Sequence, residues 1–221
     1  MLTFRVLSAL LRYPTPELKV ELQLAKRILR SEGILTASYL ESVCALVEQL
    51  QATPQLEAES SYVDAFDRGR STSLYLFEHI HGDSRDRGKA MLKLLMRYRA
   101  HGLEMSSGEL PDFLPAFLEF LSTRAPTEAR KHLSEVADII GLIGRRLRNR
   151  GALYAPLLEA IASLAVAGTR DQSLVTEGDQ DRDDTPAALD AAWEEAAVTF
   201  NGSAAPMDNL QVARALAEPK S

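Results

Sequence analysis

Apolar side chains recur at three- and four-residue spacing through most of residues 1–167, and the runs are cut by proline and glycine instead of by hairpin signals. No segment sustains the alternation of a half-buried strand, so the pattern specifies an all-α body. The first predicted helix covers Thr3 to Tyr13 and presents Phe4, Leu7, Leu10 and Leu11 before Pro14 stops it. Thr15 and Pro16 form an N-cap and first-turn pair for a second, running through Arg30 to a stop at Gly33. A third, Ala37 to Gln51, aligns Leu40, Val43, Val47 and Leu50 and ends before Pro54. Residues 57–79 read as two short helices broken near Gly69, with Tyr62, Phe66, Leu74, Tyr75 and Phe77 along them. Asp83 and Asp86 open a helix that ends near His101, with Met91, Leu94, Leu95 and Tyr98 inward. Pro111 opens a central helix with Phe113, Phe117 and Phe120 on one face; Pro126 opens another that ends in an arginine-rich turn before Gly151. A last body helix spans Leu153 to Val166.

Charge divides the chain. From Gly168 to Ser221 there are eleven Asp or Glu against four Lys or Arg, whereas residues 1–167 carry 21 basic and 20 acidic residues. One helical domain over residues 1–167 followed by an acidic linker and tail over 168–221 is therefore expected. The run Glu177 to Asp184 is too acidic and too poor in apolar residues to fold alone and reads as a solvated linker. Beyond it, Leu189, Trp193, Ala196, Ala197 and Phe200 give residues 187–200 the pattern of a short amphipathic helix, marginal unless docked. The near-neutral body lacks the basic excess of a nucleic-acid binder. No window approaches the roughly 20 apolar residues of a spanning helix, and Arg5 and Arg12 interrupt the N-terminal apolar stretch, so a soluble, unexported, cytoplasmic protein is expected.

Catalytic signals are sparse. Cys44 is the only cysteine and lies beside the stripe of the third helix, where it reads as a small buried hydrophobe. Glu78, His79 and His81, with His101, raise the possibility of a metal-dependent hydrolase, but residues two apart point to different helix faces and no HExxH or CxxC pattern completes a cage. No GxSxG turn, glycine-rich nucleotide loop or P-loop is present, so the chain is expected to catalyse nothing and to hold no cofactor of its own. The densest polar signal is Asp67-Arg68-Gly69-Arg70 and Arg85-Asp86-Arg87-Gly88, flanking the aromatic segment; such arginines either fix a helix junction or meet carboxylates and carbonyls of a bound polypeptide.

The segments 62–70 (YVDAFDRGR), 73–82 (SLYLFEHIHG), 84–91 (SRDRGKAM) and 109–115 (ELPDFLP), with the late WEE and VTF elements of residues 193–200, resemble the nitrate reductase molybdenum cofactor assembly chaperone family, NarJ or delta subunit. Several blocks in the right order cover most of the chain. The resemblance implies a helical bundle related to the TorD and DmsD chaperones. It also implies a client, the N-terminal segment of the nitrate reductase catalytic alpha subunit or the alpha–beta complex, held in the cytoplasm as a chaperone monomer or dimer while molybdenum bis(guanine dinucleotide) cofactor enters the client. Aromatic and leucine side chains of residues 62–77 and 111–121 would then form a groove for an amphipathic client helix. The expected peptide-binding residues are Tyr62, Phe66, Arg70, Tyr75, Phe77, His79, His81 and Tyr98, with Glu109, Pro111 and Asp112. A general helical interaction module with another client is the alternative.

Overall fold

The computed structural model describes residues 1–81, 85–105, 108–165 and 183–193. The elements are α1 (Leu2–Leu10), α2 (Pro16–Glu21), a 3-10 turn (Leu22–Leu24), α3 (Ala25–Glu32), α4 (Ala37–Ala52), α5 (Gln55–Phe66), a second 3-10 turn (Arg70–Thr72), α6 (Glu78–His81) and α7 (Arg85–Ala100). They continue with α8 (Leu114–Ser122), α9 (Pro126–Ser134), α10 (Ala137–Asn149), α11 (Ala155–Ser163) and α12 (Pro186–Trp193). Among the described residues the all-α reading holds; the extended pairing is a single antiparallel bridge between Tyr75 and Phe113. No described helix is long and apolar enough to cross a membrane.

Proline and glycine act where the sequence puts them. Thr15 accepts the Leu18 N–H at 3.3 Å ahead of Pro16, and Gly33 ends α3 with φ +59°, a left-handed conformation that costs a Cβ-bearing residue. The core is one cluster. α10 lies along α11, α11 on α4, and α1 packs on α8 and α3. Phe4, Leu7, Leu118, Leu121, Ile140, Ile143, Leu147, Leu157 and Ile161 are fully buried. A Cβ on Gly144 would stand 3.2 Å from both Leu158 and Glu159, which shows how closely α10 and α11 approach. Cys44 is buried among α4's core residues, as its place beside that stripe predicts.

Several boundaries differ from the sequence reading, each for a local reason. The first helix stops at Leu10, because Leu11 and Arg12 turn back onto Ser8 and Ala9. The second is broken by the 3-10 turn at Leu22–Leu24, which buries Leu22 while leaving Leu24 exposed. The central helix begins at Leu114, not Pro111: Phe113 is extended, since the Leu76 N–H donates to the Asp112 carbonyl at 3.0 Å and the Leu114 N–H to the Leu74 carbonyl at 2.9 Å on either side of it. The run opened by Pro126 is two helices, broken at Glu135 and Val136, where Val136 leaves helical geometry (φ −127°, ψ 3°). The last body helix is the shorter Ala155–Ser163. A late helix runs over Pro186–Trp193, while residues 194–200 of the expected amphipathic helix and residues 168–182 of the expected linker lie outside the described residues. Asp183 and Asp184, at the end of the run read as solvated, instead contact Arg150.

Candidate functional site

The surface suited to a partner is an open groove of about 690 Å³ between α1, α2 and residues 109–113. Its apolar lining includes Val6, Ala9, Leu18, Leu22, Ile28 and Phe113, with Tyr13 and Tyr62 at one end. Arg5, Arg12, Glu17, Glu21, Glu109 and Glu119 supply its charge, four acids against two bases. This volume lies within the range of about 300–1,000 Å³ usual for ligand clefts.

Each wall is fastened to the core. The Ser8 hydroxyl donates to the Pro115 carbonyl at 2.7 Å, joining α1 to α8. The Glu32 carboxylate accepts the Leu2 and Thr3 N–H groups, both at 2.7 Å, satisfying donors that the start of α1 otherwise leaves open. Burial alone would raise the Glu32 carboxyl, but these bonds outweigh it and hold it below the usual range. At the other end the Tyr62 hydroxyl donates to the Leu11 carbonyl at 3.0 Å. Tyr13, Tyr62, Phe66 and Tyr154 then form a chain of edge-on rings with centroids 5.0–5.5 Å apart, leading from the groove into the core.

The two strongest sequence blocks meet beside this groove. The Tyr75–Phe113 bridge sets their rings 5.3 Å apart. Asp112 is fully buried; its Oδ2 accepts the Phe77 N–H at 3.1 Å and lies 3.8 Å from Arg87, whose guanidinium also donates to Glu78 at 3.2 Å. Burial pushes the Asp112 carboxyl upward, and the Phe77 bond and Arg87 oppose the rise only partly. His79 Nε2 donates to the Ser73 carbonyl at 2.9 Å, which closes the 73–79 loop; burial lowers its pKa and favours the neutral ring. The Tyr98 hydroxyl donates to the Pro111 carbonyl at 2.8 Å.

The expected site residues therefore divide into layers. Tyr62 and Glu109 line the groove, the first from its floor and the second from its rim. Arg70 is exposed, and Tyr75, Phe77, His79 and His81 are half-buried around the bridge. Phe66, Tyr98 and Asp112 are buried, and half-buried Pro111 receives the Tyr98 hydroxyl, so these four support the surface from beneath. Sequence reasoning missed the α1–α2 wall: Arg5, Arg12, Tyr13 and Leu18 were assigned to ordinary amphipathic helices. The available signal was Tyr13 immediately before Pro14, an aromatic held where the chain leaves a helix.

Among the described residues no group of three or more His, Cys, Asp or Glu is arranged to hold a metal ion. Glu78 pairs with Arg87, His79 with Ser73, and His101 with Glu128 at 3.5 Å, so three of the four residues of the hydrolase alternative have separate partners.

Residues 35–160 match the family model of the nitrate reductase delta subunit. The chain is 41% identical over 202 residues to the nitrate reductase molybdenum cofactor assembly chaperone NarJ of Escherichia coli K12, covering 90% of this chain and 85% of that protein. It is 37% identical over 201 residues to NarW of the same strain, described as a probable chaperone of the same kind, covering 90% and 84%. NarJ of Bacillus subtilis 168, also described as probable, is 30% identical over 171 residues, covering 77% of this chain and 92% of that protein. These three relatives are named as molybdenum cofactor assembly chaperones. On the family model, these identities and the order of its sequence blocks, the chain belongs to the nitrate reductase delta subunit family of molybdenum cofactor assembly chaperones.

Proposed function

We propose that this protein is a system-specific chaperone, which binds the N-terminal segment of the catalytic alpha subunit of a respiratory nitrate reductase. It holds that subunit, alone or with its beta partner, in the cytoplasm while molybdenum bis(guanine dinucleotide) cofactor is inserted, and it leaves before membrane attachment. The observation that carries the reading is the apolar groove with a charged rim, in a chain whose relatives are named for cofactor assembly on nitrate reductase. An amphipathic helix anchors in such a groove through residues at i, i+3, i+4 and i+7. Because acids outnumber bases along the lining, a client helix with basic residues flanking its apolar stripe fits best.

Tyr62, Glu109 and the α1–α2 wall make the central contacts in this reading, with Arg70, Tyr75, Phe77, His79 and His81 extending the surface. Phe66, Tyr98, Pro111 and Asp112 fix its shape. A few apolar anchors at about 25 cal/mol per Å² give useful affinity while leaving the complex releasable, as a chaperone requires. The test is calorimetric titration with a synthetic peptide covering the N-terminus of the cognate alpha subunit, against a scrambled control. Saturable one-to-one binding confined to the native peptide is expected; no heat and no competition at high peptide concentration would overturn the reading and point to a general interaction module.

A further inference from the structure

A second polar site lies outside the groove, where the segment before α12 meets the body. The Asp183 carboxylate accepts the Ser71 N–H at 2.7 Å, the Ser71 hydroxyl at 2.6 Å and Arg150 Nη2 at 2.6 Å, and Arg150 Nη1 stands 3.7 Å from Asp184. These donors are held by the body itself. Arg150, its side chain 7% exposed, also donates to Thr72 Oγ1 at 3.0 Å and Ser71 Oγ at 2.5 Å, and Arg146 donates to the Ser71 carbonyl at 3.0 Å. Gly69 completes the site by what it lacks: a Cβ there would stand 2.5 Å from the Asp183 carboxylate, and the three atoms nearest to it all belong to Asp183.

We propose that Gly69, Ser71 and Arg150 form an aspartate-binding cradle, a recognition site for an acidic peptide, which the chain's own Asp183-Asp184 segment fills as an internal ligand. Three features support this over an ordinary surface ion pair. The carboxylate meets a backbone donor, a hydroxyl and a nearly buried guanidinium together, a geometry stronger and more selective than an exposed pair. The cradle's internal bonds do not involve the acidic segment, so the receptor remains formed when its ligand leaves. The ligand lies at the end of the acidic run and directly precedes a capped helix, with Thr185 accepting the Ala188 N–H at 3.2 Å, so docking Asp183 also fixes the start of α12. Because the acidic segment belongs to the same chain, its docking is intramolecular, and a competing acidic segment must overcome that advantage.

The test uses the full chain. A double variant, Asp183→Asn with Asp184→Asn, is titrated with a labelled synthetic peptide of residues 181–193. Saturable binding is expected, at least about tenfold tighter than to the wild type, whose cradle is filled. Adding Gly69→Ala to the double variant leaves every donor in place and should weaken the peptide by about tenfold or more. Equal peptide affinity for wild type and double variant, or no effect of Gly69→Ala, would each overturn the proposal.

Discussion

The two ends of the bundle use the same residue types to opposite effect. Where α4, α10 and α11 meet, Val43, Val47, Ile140, Ile143, Leu147, Leu157, Leu158 and Ile161 show no surface at all. Along α1 and α2, Val20 is 64% exposed and Tyr13 43%, and Leu2 and Leu24 are also exposed. Close helix approach at Gly144 completes the first region's packing. The second stops short of closure because α2 has no buried residue of its own and the chain turns through a 3-10 segment before α3. One region has spent its apolar surface on packing, and the other leaves part of its own facing solvent.

That contrast can be broken in graded steps. Leu147→Ala, in the closed region, should cost about 3 kcal/mol and lower the melting temperature by roughly 10 °C in a thermal melt. If it costs no more than substitutions in α2, the division is wrong. Tyr13→Ala, in the open region, should weaken the alpha-subunit peptide by about tenfold in calorimetry while the melting temperature stays near the wild-type value. A large fall in melting temperature instead would move Tyr13 into the first class.

His79 gives a smaller, pH-dependent effect. Burial depresses its folded pKa, so the neutral ring's contribution is fully present above the ordinary histidine value and is lost as the pH falls through that value toward the folded one. Between pH 7.5 and pH 5 the wild type should lose more stability than His79→Gln, read as the difference between their melting curves. Equal curves would show that the 73–79 loop is held without the His79–Ser73 bond. The smallest effect belongs to the exposed Lys89–Asp86 pair at 3.0 Å: Lys89→Met should change stability by about 0.5 kcal/mol or less in urea unfolding, setting the baseline for residues outside both regions.

The helical fold was legible because its signals are local. Apolar spacing, Thr15-Pro16, Gly33 and Pro126 act within a turn or two of themselves. The site was legible only in part. The sequence blocks 73–82 and 109–115 were singled out, but their meeting through the Tyr75–Phe113 bridge joins residues far apart in the chain, which no periodicity reports. The same pairing explains why Pro111 does not open a helix and why Asp112 lies inside the protein. The α1–α2 wall escaped because an exposed apolar face and a buried one share the same spacing until the packing is known. The engagement of Asp183 was hidden for a related reason: an acidic run reads as solvated unless its distant arginine is in view.

The Ser8–Pro115 hydrogen bond couples residues separated by 107 positions, whereas α10 and α11 are neighbours in the chain. Closing a long loop costs more entropy than closing a short one, so local helical pairs form early and distant ones late. The α10–α11 hairpin should therefore gain amide protection before α1 in pulse-labelled refolding, with simultaneous protection showing that the groove is part of the nucleus. A newly made chain then has a stable hydrophobic centre before it has the α1–α2 groove, and the surface proposed for the client ripens last.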